Sequence, residues 1–230
     1  LIQNVSFINN STDENGDGGG IYCEYSSNPT IQNVLIAGNS AAWGGGLRCF
    51  ESSPILINVT LAGNTADAGG GIFCYNNSNP ILENCILWNN NPQAVYFNSG
   101  GDPNSITISY SDIVGGIETN SSGTVQTLEG NLSVNPLFVN SSANNYQLTS
   151  NSPCVDAGNP DFDGDGSTWE DDSDDRDSDS SRMDMGAYYF NQGDITPPNI
   201  QLNMPDLPEL VHNGDTLLVS WIASDNTGLY

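Results

Sequence analysis

A triple glycine followed by a short strand and a cysteine occurs three times between residues 18 and 74. No other feature restricts the available folds as much. The copies are Gly18–Gly20 before Ile21-Tyr22-Cys23, Gly44–Gly46 before Leu47-Arg48-Cys49, and Gly69–Gly71 before Ile72-Phe73-Cys74. The cysteines stand 26 and 25 residues apart. A second block keeps the same phase: Asn4-Val5-Ser6-Phe7, Asn33-Val34-Leu35-Ile36, Asn58-Val59-Thr60-Leu61 and Asn84-Cys85-Ile86-Leu87. Five residues beyond each Val or Cys of that block stands another asparagine, Asn10, Asn39, Asn64 and Asn90. Asn28-Pro29, Ser53-Pro54 and Asn79-Pro80 mark a third fixed position.

A unit of about 25 residues has room for three short strands and their turns, but not for a core of its own. It must stack on the next copy, with strands about 4.8 Å apart. The expected fold is all-β, a parallel solenoid with like residues in columns. Val5/Val34/Val59/Cys85, Phe7/Ile36/Leu61/Leu87 and Cys23/Cys49/Cys74 point inward, and Ser6 and Thr60 point outward. The asparagines are expected to bond one another from rung to rung at the turns. The glycine triplets supply a backbone of positive φ at a tight corner. Stacked cysteines lie within disulfide reach, yet their side chains run parallel in a packed column. Buried free thiols are therefore expected there, with Cys85 and Cys154 also in the core.

Charge narrows the function. The chain carries three arginines, no lysine, and 28 acids, for a net charge of -25. Such a surface does not track a phosphate backbone or an anionic bilayer, so nucleic acid and membrane surface are excluded as partners. No apolar run reaches the ~18 residues a membrane span requires. The single histidine, His212, removes most imidazole catalysis and most zinc sites. Eleven of the 28 acids fall between Asp161 and Asp184.

The repeats resemble the right-handed parallel β-helices of the pectate-lyase-like superfamily. Beyond them, Ile106-Thr107-Ile108-Ser109-Tyr110-Ser111-Asp112-Ile113 resembles a last regular rung. The ordered series Asn135-Pro136-Leu137-Phe138-Val139, Tyr146-Gln147-Leu148, Ser152-Pro153-Cys154-Val155-Asp156-Ala157-Gly158 and Asp184-Met185-Gly186-Ala187-Tyr188 is similar to the choice-of-anchor Q domain of bacterial surface proteins. The resemblance covers residues 1–190. It implies a secreted or cell-surface protein with polysaccharide or another surface protein as partner, and it is specific for fold rather than activity.

The expected division is 1–116 for regular rungs, 117–192 for the rest of the β-helix domain, and 193–198 for a linker. Residues 199–230 then resemble the first strands of an immunoglobulin-like or cadherin-like module, with Ile200–Met204 and Leu217–Trp221 as strands. Alternatively, these strands cap the solenoid. Leu1 falls inside a rung, so the chain reads as a piece of a longer surface protein. An open rung invites end-to-end self-assembly.

Three groups of residues could carry chemistry. Asp161, Asp163, Asp165, Ser167 and Asp172 occupy positions 1, 3, 5, 7 and 12 of an EF-hand-like loop with Gly166 at position 6. Alternating carboxylates around a glycine turn can wrap a hard cation, and calcium is the expected cofactor; the other reading is a solvated acidic loop. The acid run repels itself unless a cation, or Arg176 and Arg182, neutralise it.

The second group is the outward face beside the cysteine column. Tyr22 and Glu24, Arg48 and Phe50, Phe73 and Tyr75 are expected to stand exposed there, with Tyr96 on the next rung. They form either a platform for sugar rings or a face covered by a neighbour.

The third is catalytic. Lyases of the resembling superfamily use Arg or Lys as base, and Arg48 is the only basic residue in the rungs, with Glu24 and Glu51 as its expected neighbours. Hydrolases of the fold use paired Asp. Asp17 and Asp67 precede glycine triplets two rungs apart, with Trp43 in the rung between, about 10 Å and loose for a pair. The balance favours a non-enzymatic structural or adhesion module, with glycan binding second and polysaccharide cleavage third.

Overall fold

The computed structural model describes residues 1–13, 15–121, 123–192, 199–203 and 220–224. It divides into two compact units, Leu1–Phe190 and Asn191–Tyr230. In the second, Asn199–Asn203 and Ser220–Ser224 pair antiparallel. The linker expected at 193–198, Met204 and residues 217–219 lie outside the described residues.

The first unit is a parallel β-solenoid. Its largest sheet is centred on the long strands Thr30–Ala37 and Ile55–Ala62. Ile2–Gln3 and Ser6–Ile8 flank them on one side; Ile81–Glu83, Ile86–Trp88, Asn104–Ser109, Asp112–Ile113 and Gly123–Thr127 continue on the other. A second sheet stacks Ile21–Glu24, Leu47–Phe50, Ile72–Tyr75, Val95–Phe97 and Ile117–Glu118. Ser40–Trp43 and Thr65–Ala68 form a short third sheet.

The register follows the repeat. Val34 pairs with Val59, Ile36 with Leu61, and Leu61 with Leu87. Cys23, Cys49 and Cys74 stack in line, and Phe97 takes their place on the next rung. These columns and Ile31, Leu56, Leu82, Ile106 and Ile108 make one core. Each fully buried Leu or Ile contributes about 1.5–3 kcal/mol, and in a solenoid that burial exists only between rungs. All five cysteines are buried free thiols. Burial pushes the thiols of Cys23 and Cys85 up to about 12.

Two asparagine columns shape the corners. Asn39 Nδ2 donates to Asn64 Oδ1 at 3.0 Å, and Asn64 Nδ2 to Asn90 Oδ1 at 3.0 Å. The same oxygens accept the backbone N–H groups of Asn39 and Asn64, and the same amides reach Phe7 O and Ile36 O. The amides are thus bonded in a fully buried column, as buried polar groups must be. The other column, Asn4, Asn33, Asn58 and Asn84, sits at φ between 52 and 54°. Asparagine enters that left-handed region more readily than other side-chain-bearing residues. In the triplets, Gly18, Gly44 and Gly69 have φ from 61 to 71°. Gly46 is fixed differently, since a Cβ there would meet the Gly71 carbonyl oxygen at 2.7 Å.

The motif series after residue 130 covers the outside of the largest sheet. Tyr146 packs on Leu35, Ala37 and Ala62, with Phe138 edge-on to its ring at 5.2 Å. Leu148, Cys154 and Met185 pack on Ile86. Thr60, expected to face outward, does so and is nevertheless only 1% exposed, because Ala187 N–H donates to its Oγ1 at 2.9 Å. Asp184 accepts from the backbone of Asp156 and Phe190, and Asn159 N–H donates to Asn84 Oδ1. The motif residues are therefore the fastening of this segment to the solenoid.

Candidate functional site

The second sheet presents two lines of rings. Tyr25, Phe50 and Tyr75 follow one another, with centroids 5.4 and 5.3 Å apart. Trp43, Phe73 and Tyr96 form the other, the last two stacked at 5.5 Å and 17°. In-register parallel strands set Phe50 beside Tyr75 and Phe73 beside Tyr96, because equal positions on successive rungs lie side by side; Tyr25 joins from the position after its strand, and Trp43 from the third sheet. The expected exposed face is only partly exposed. Phe73 is 2% and Arg48 9% exposed, a correction to their expected position on an open platform. Tyr22 at 38%, Tyr25 at 68% and Trp43 at 41% are the open rings, while Phe50, Tyr75 and Tyr96 are half-buried. Sequence alternation does not mark Tyr25, which follows the strand Ile21–Glu24.

Arg48 is buried by its neighbours. Its guanidinium lies 5.0, 5.6 and 5.7 Å from the ring centres of Tyr22, Trp43 and Phe73. Its Nη1 pairs with Asp17, the one ion pair found among the described residues. The expected carboxylate neighbours are engaged elsewhere. Glu24 acts on Tyr22, whose hydroxyl is pushed up to about 12 by burial and then by that charge. Glu51 accepts from Asn76 Nδ2 at 2.6 Å. Burial draws the Arg48 pKa below the ordinary value, but the cation remains between a carboxylate and three π faces, all of which favour its charged form. The column here runs Asp17, Trp43, Ala68, so Asp67 is offset by one position and does not face Asp17.

The acidic loop forms the second candidate. Carboxylate oxygens of Asp161, Asp163 and Asp175 lie within 4.8 Å of one another, and so do those of Asp163, Asp165 and Asp172. The EF-hand-like residues Asp161, Asp163, Asp165 and Asp172 are thus brought near one another, but through two groups that share Asp163. Ser167 contributes its N–H to Asp165 Oδ1 at 2.7 Å. Sequence spacing does not mark Asp175, which lies outside the 12-residue loop and amid many other acids. Arg176 and Arg182 do not neutralise the run through the bonds they make here. Arg176 donates to the carbonyls of Trp169 and Glu170, and Arg182 to that of Gly158.

Beside this loop opens a cavity of about 660 Å³ against the outer face of the first rungs. Asn33 and Asn58 lie on its solenoid side; Phe162, Arg176, Asp177 and Tyr188 lie on the other. Burial, then Asp179, pushes the Asp177 carboxyl up to about 8. No helix among the described residues is long and apolar enough to cross a membrane.

The sequence model of a family described as "Right handed beta helix region" matches residues 1–152. No curated protein matches the chain. No solved structure matches it either.

Proposed function

The chain belongs to the right-handed β-helix family, and from that premise we propose that it is a non-enzymatic structural or adhesion module. The family's fold is shared by enzymes and non-enzymes, so the site must decide. One observation supports the reading above others: Arg48, the only base in the rungs, is enclosed by Asp17, Tyr22, Trp43 and Phe73. A lyase base must reach a substrate carbon and take its proton. Arg48 does neither while it is buried and paired. Secretion or display on a bacterial surface belongs to the same proposal and is supported by the motif series from Asn135 to Tyr188. The test is incubation of the chain with a panel of neutral and acidic polysaccharides, with and without calcium. The reading expects no new reducing ends and no unsaturated products; release of either from any polymer would overturn it.

A second reading is favoured by the paired lines of rings. Aromatic faces repeating at rung spacing suit the apolar faces of sugars, and the polymer would run along the solenoid axis over Tyr22, Tyr25, Phe50, Tyr75 and Tyr96. Affinity electrophoresis in polysaccharide-containing gels tests it. Retention lost on Tyr75→Ala, with folding unchanged, supports a lectin-like module; equal mobility in all gels removes it.

A further inference from the structure

We propose that the acidic loop binds a calcium ion on Asp161, Asp163 and Asp175, and that this ion fastens the loop over the asparagine-lined cavity. A cluster of acids alone would not carry this, since exposed carboxylates gather on many surfaces. Asp175 is different. It is fully buried, at 0% exposed. Its Oδ1 accepts the N–H groups of Phe162 and Asp163, while its Oδ2 is buried with no hydrogen-bond partner. A carboxylate oxygen removed from water and left without a donor is unfavourable unless a cation faces it. The same carboxyl group is the one that converges with Asp161 and Asp163.

The chemistry points to calcium. Oxygens on opposite sides of an ion at about 2.4 Å lie about 4.8 Å apart, so carboxylates this close can share one calcium. Every donor is a hard oxygen and no His or Cys takes part, which disfavours zinc and copper. The nearby guanidinium groups of Arg176 and Arg182 bond backbone carbonyls. The loop therefore gathers negative charge without drawing those two cations onto its carboxylates. The ligand set departs from the EF-hand order, in which Asp172 at position 12 would close the site. Here the closing acid is Asp175, and Asp163, Asp165 and Asp172 form a more open group alongside.

The consequence reaches the cavity. Phe162 lies between two of the ligands, and Arg176 and Asp177 directly follow the third; all three line the cavity. An ion at this point joins both edges of that wall. The inference is independent of whether the aromatic lines bind glycan.

The experiment uses the 230-residue chain. Calcium titration by calorimetry is paired with terbium luminescence excited through Trp169, which lies in the same loop. Calcium should displace terbium. D175N should weaken calcium binding at least about tenfold, while D172N should change it less than about twofold. D161N must show the same loss as D175N, and it decides the matter if D175N fails to fold by circular dichroism. Calcium should also slow amide exchange across residues 158–184. Calcium affinity unchanged in D175N and D161N would overturn the site, as would absence of binding up to about 10 mM, about tenfold beyond the ~1 mM of the weakest extracellular modules. Loss in D172N alone would overturn it in favour of the EF-hand order. Equal exchange with calcium and with chelator would overturn the fastening.

Discussion

In the rungs, an asparagine bonds its own copy one turn away; in the covering segment, polar residues bond partners found nowhere else in the chain. Asn64 is held between Asn39 and Asn90. Asp184, by contrast, joins Asp156 to Phe190, and Asn159 joins the segment to Asn84 and Glu83. The rungs thus gain stability by addition, one interface per copy. The segment from 130 to 190 has little regular structure of its own and is ordered by docking, through a few apolar anchors and side chain-to-backbone bonds. A loss in one region should therefore spread differently from a loss in the other.

The largest break is expected at Asn64→Ala. It removes four side-chain bonds, to Asn39 N–H, Asn39 Nδ2, Ile36 O and Asn90 Oδ1. At about 1 kcal/mol per bond the loss is about 4 kcal/mol, read from urea unfolding. A loss under about 1 kcal/mol would show that the ladder is ornament. Leu61→Ala should follow at about 3 kcal/mol, because its column neighbours Ile36 and Leu87 cannot close the gap without moving whole rungs. Both effects should be global.

Asp184→Asn should be smaller and local, about 2 kcal/mol. Hydrogen exchange should then accelerate in residues 150–190 while the amides of Thr30–Ala37 and Ile55–Ala62 keep their protection. Equal acceleration in the rungs would erase the distinction between the regions.

The same residue gives a pH dependence. Burial pushes the Asp184 carboxyl up to about 6, above the ~3.9 of an unfolded Asp. Between those values the folded chain holds a proton that the unfolded chain has released. Stability therefore falls as pH rises from about 4 to about 6. In chelator the melting temperature should decline through that window, and Asp184→Asn should flatten the slope; a wild-type rise through it contradicts the sign. The smallest effect is Tyr75→Ala, at or below about 1 kcal/mol, which should register only in glycan retention.

The rungs were legible in sequence because each copy touches its own likeness. Equal residues at equal spacing declare the columns, and Cys23, Cys49 and Cys74 needed no further information. The identity of Arg48's partner was not legible. Glu24 and Glu51 are nearer in the repeat, but the corner glycines turn Asp17 beneath the guanidinium. Phe73 reads as an outward residue, and alternation alone cannot show that Trp43, Tyr96 and Arg48 would bury it. Thr60 and Ile86 likewise point outward, and only the distant covering segment makes them interior. The acid cluster was half visible: Asp161, Asp163 and Asp165 lie on a recognisable spacing, whereas Asp175 joins Asp161 and Asp163 through a turn with no spacing rule.

The central claim is that Arg48 is a structural cation. A double-mutant cycle on Arg48 and Asp17, followed by urea unfolding, tests it most directly. Arg48→Met should lower stability by about 3 kcal/mol, as expected when one member of a largely buried pair is removed. Asp17→Asn should lower it less, and the two should be coupled by about 1 kcal/mol or more. Unchanged stability in Arg48→Met, together with polymer cleavage by the wild type that the variant lacks, would contradict the account and make Arg48 a catalytic base.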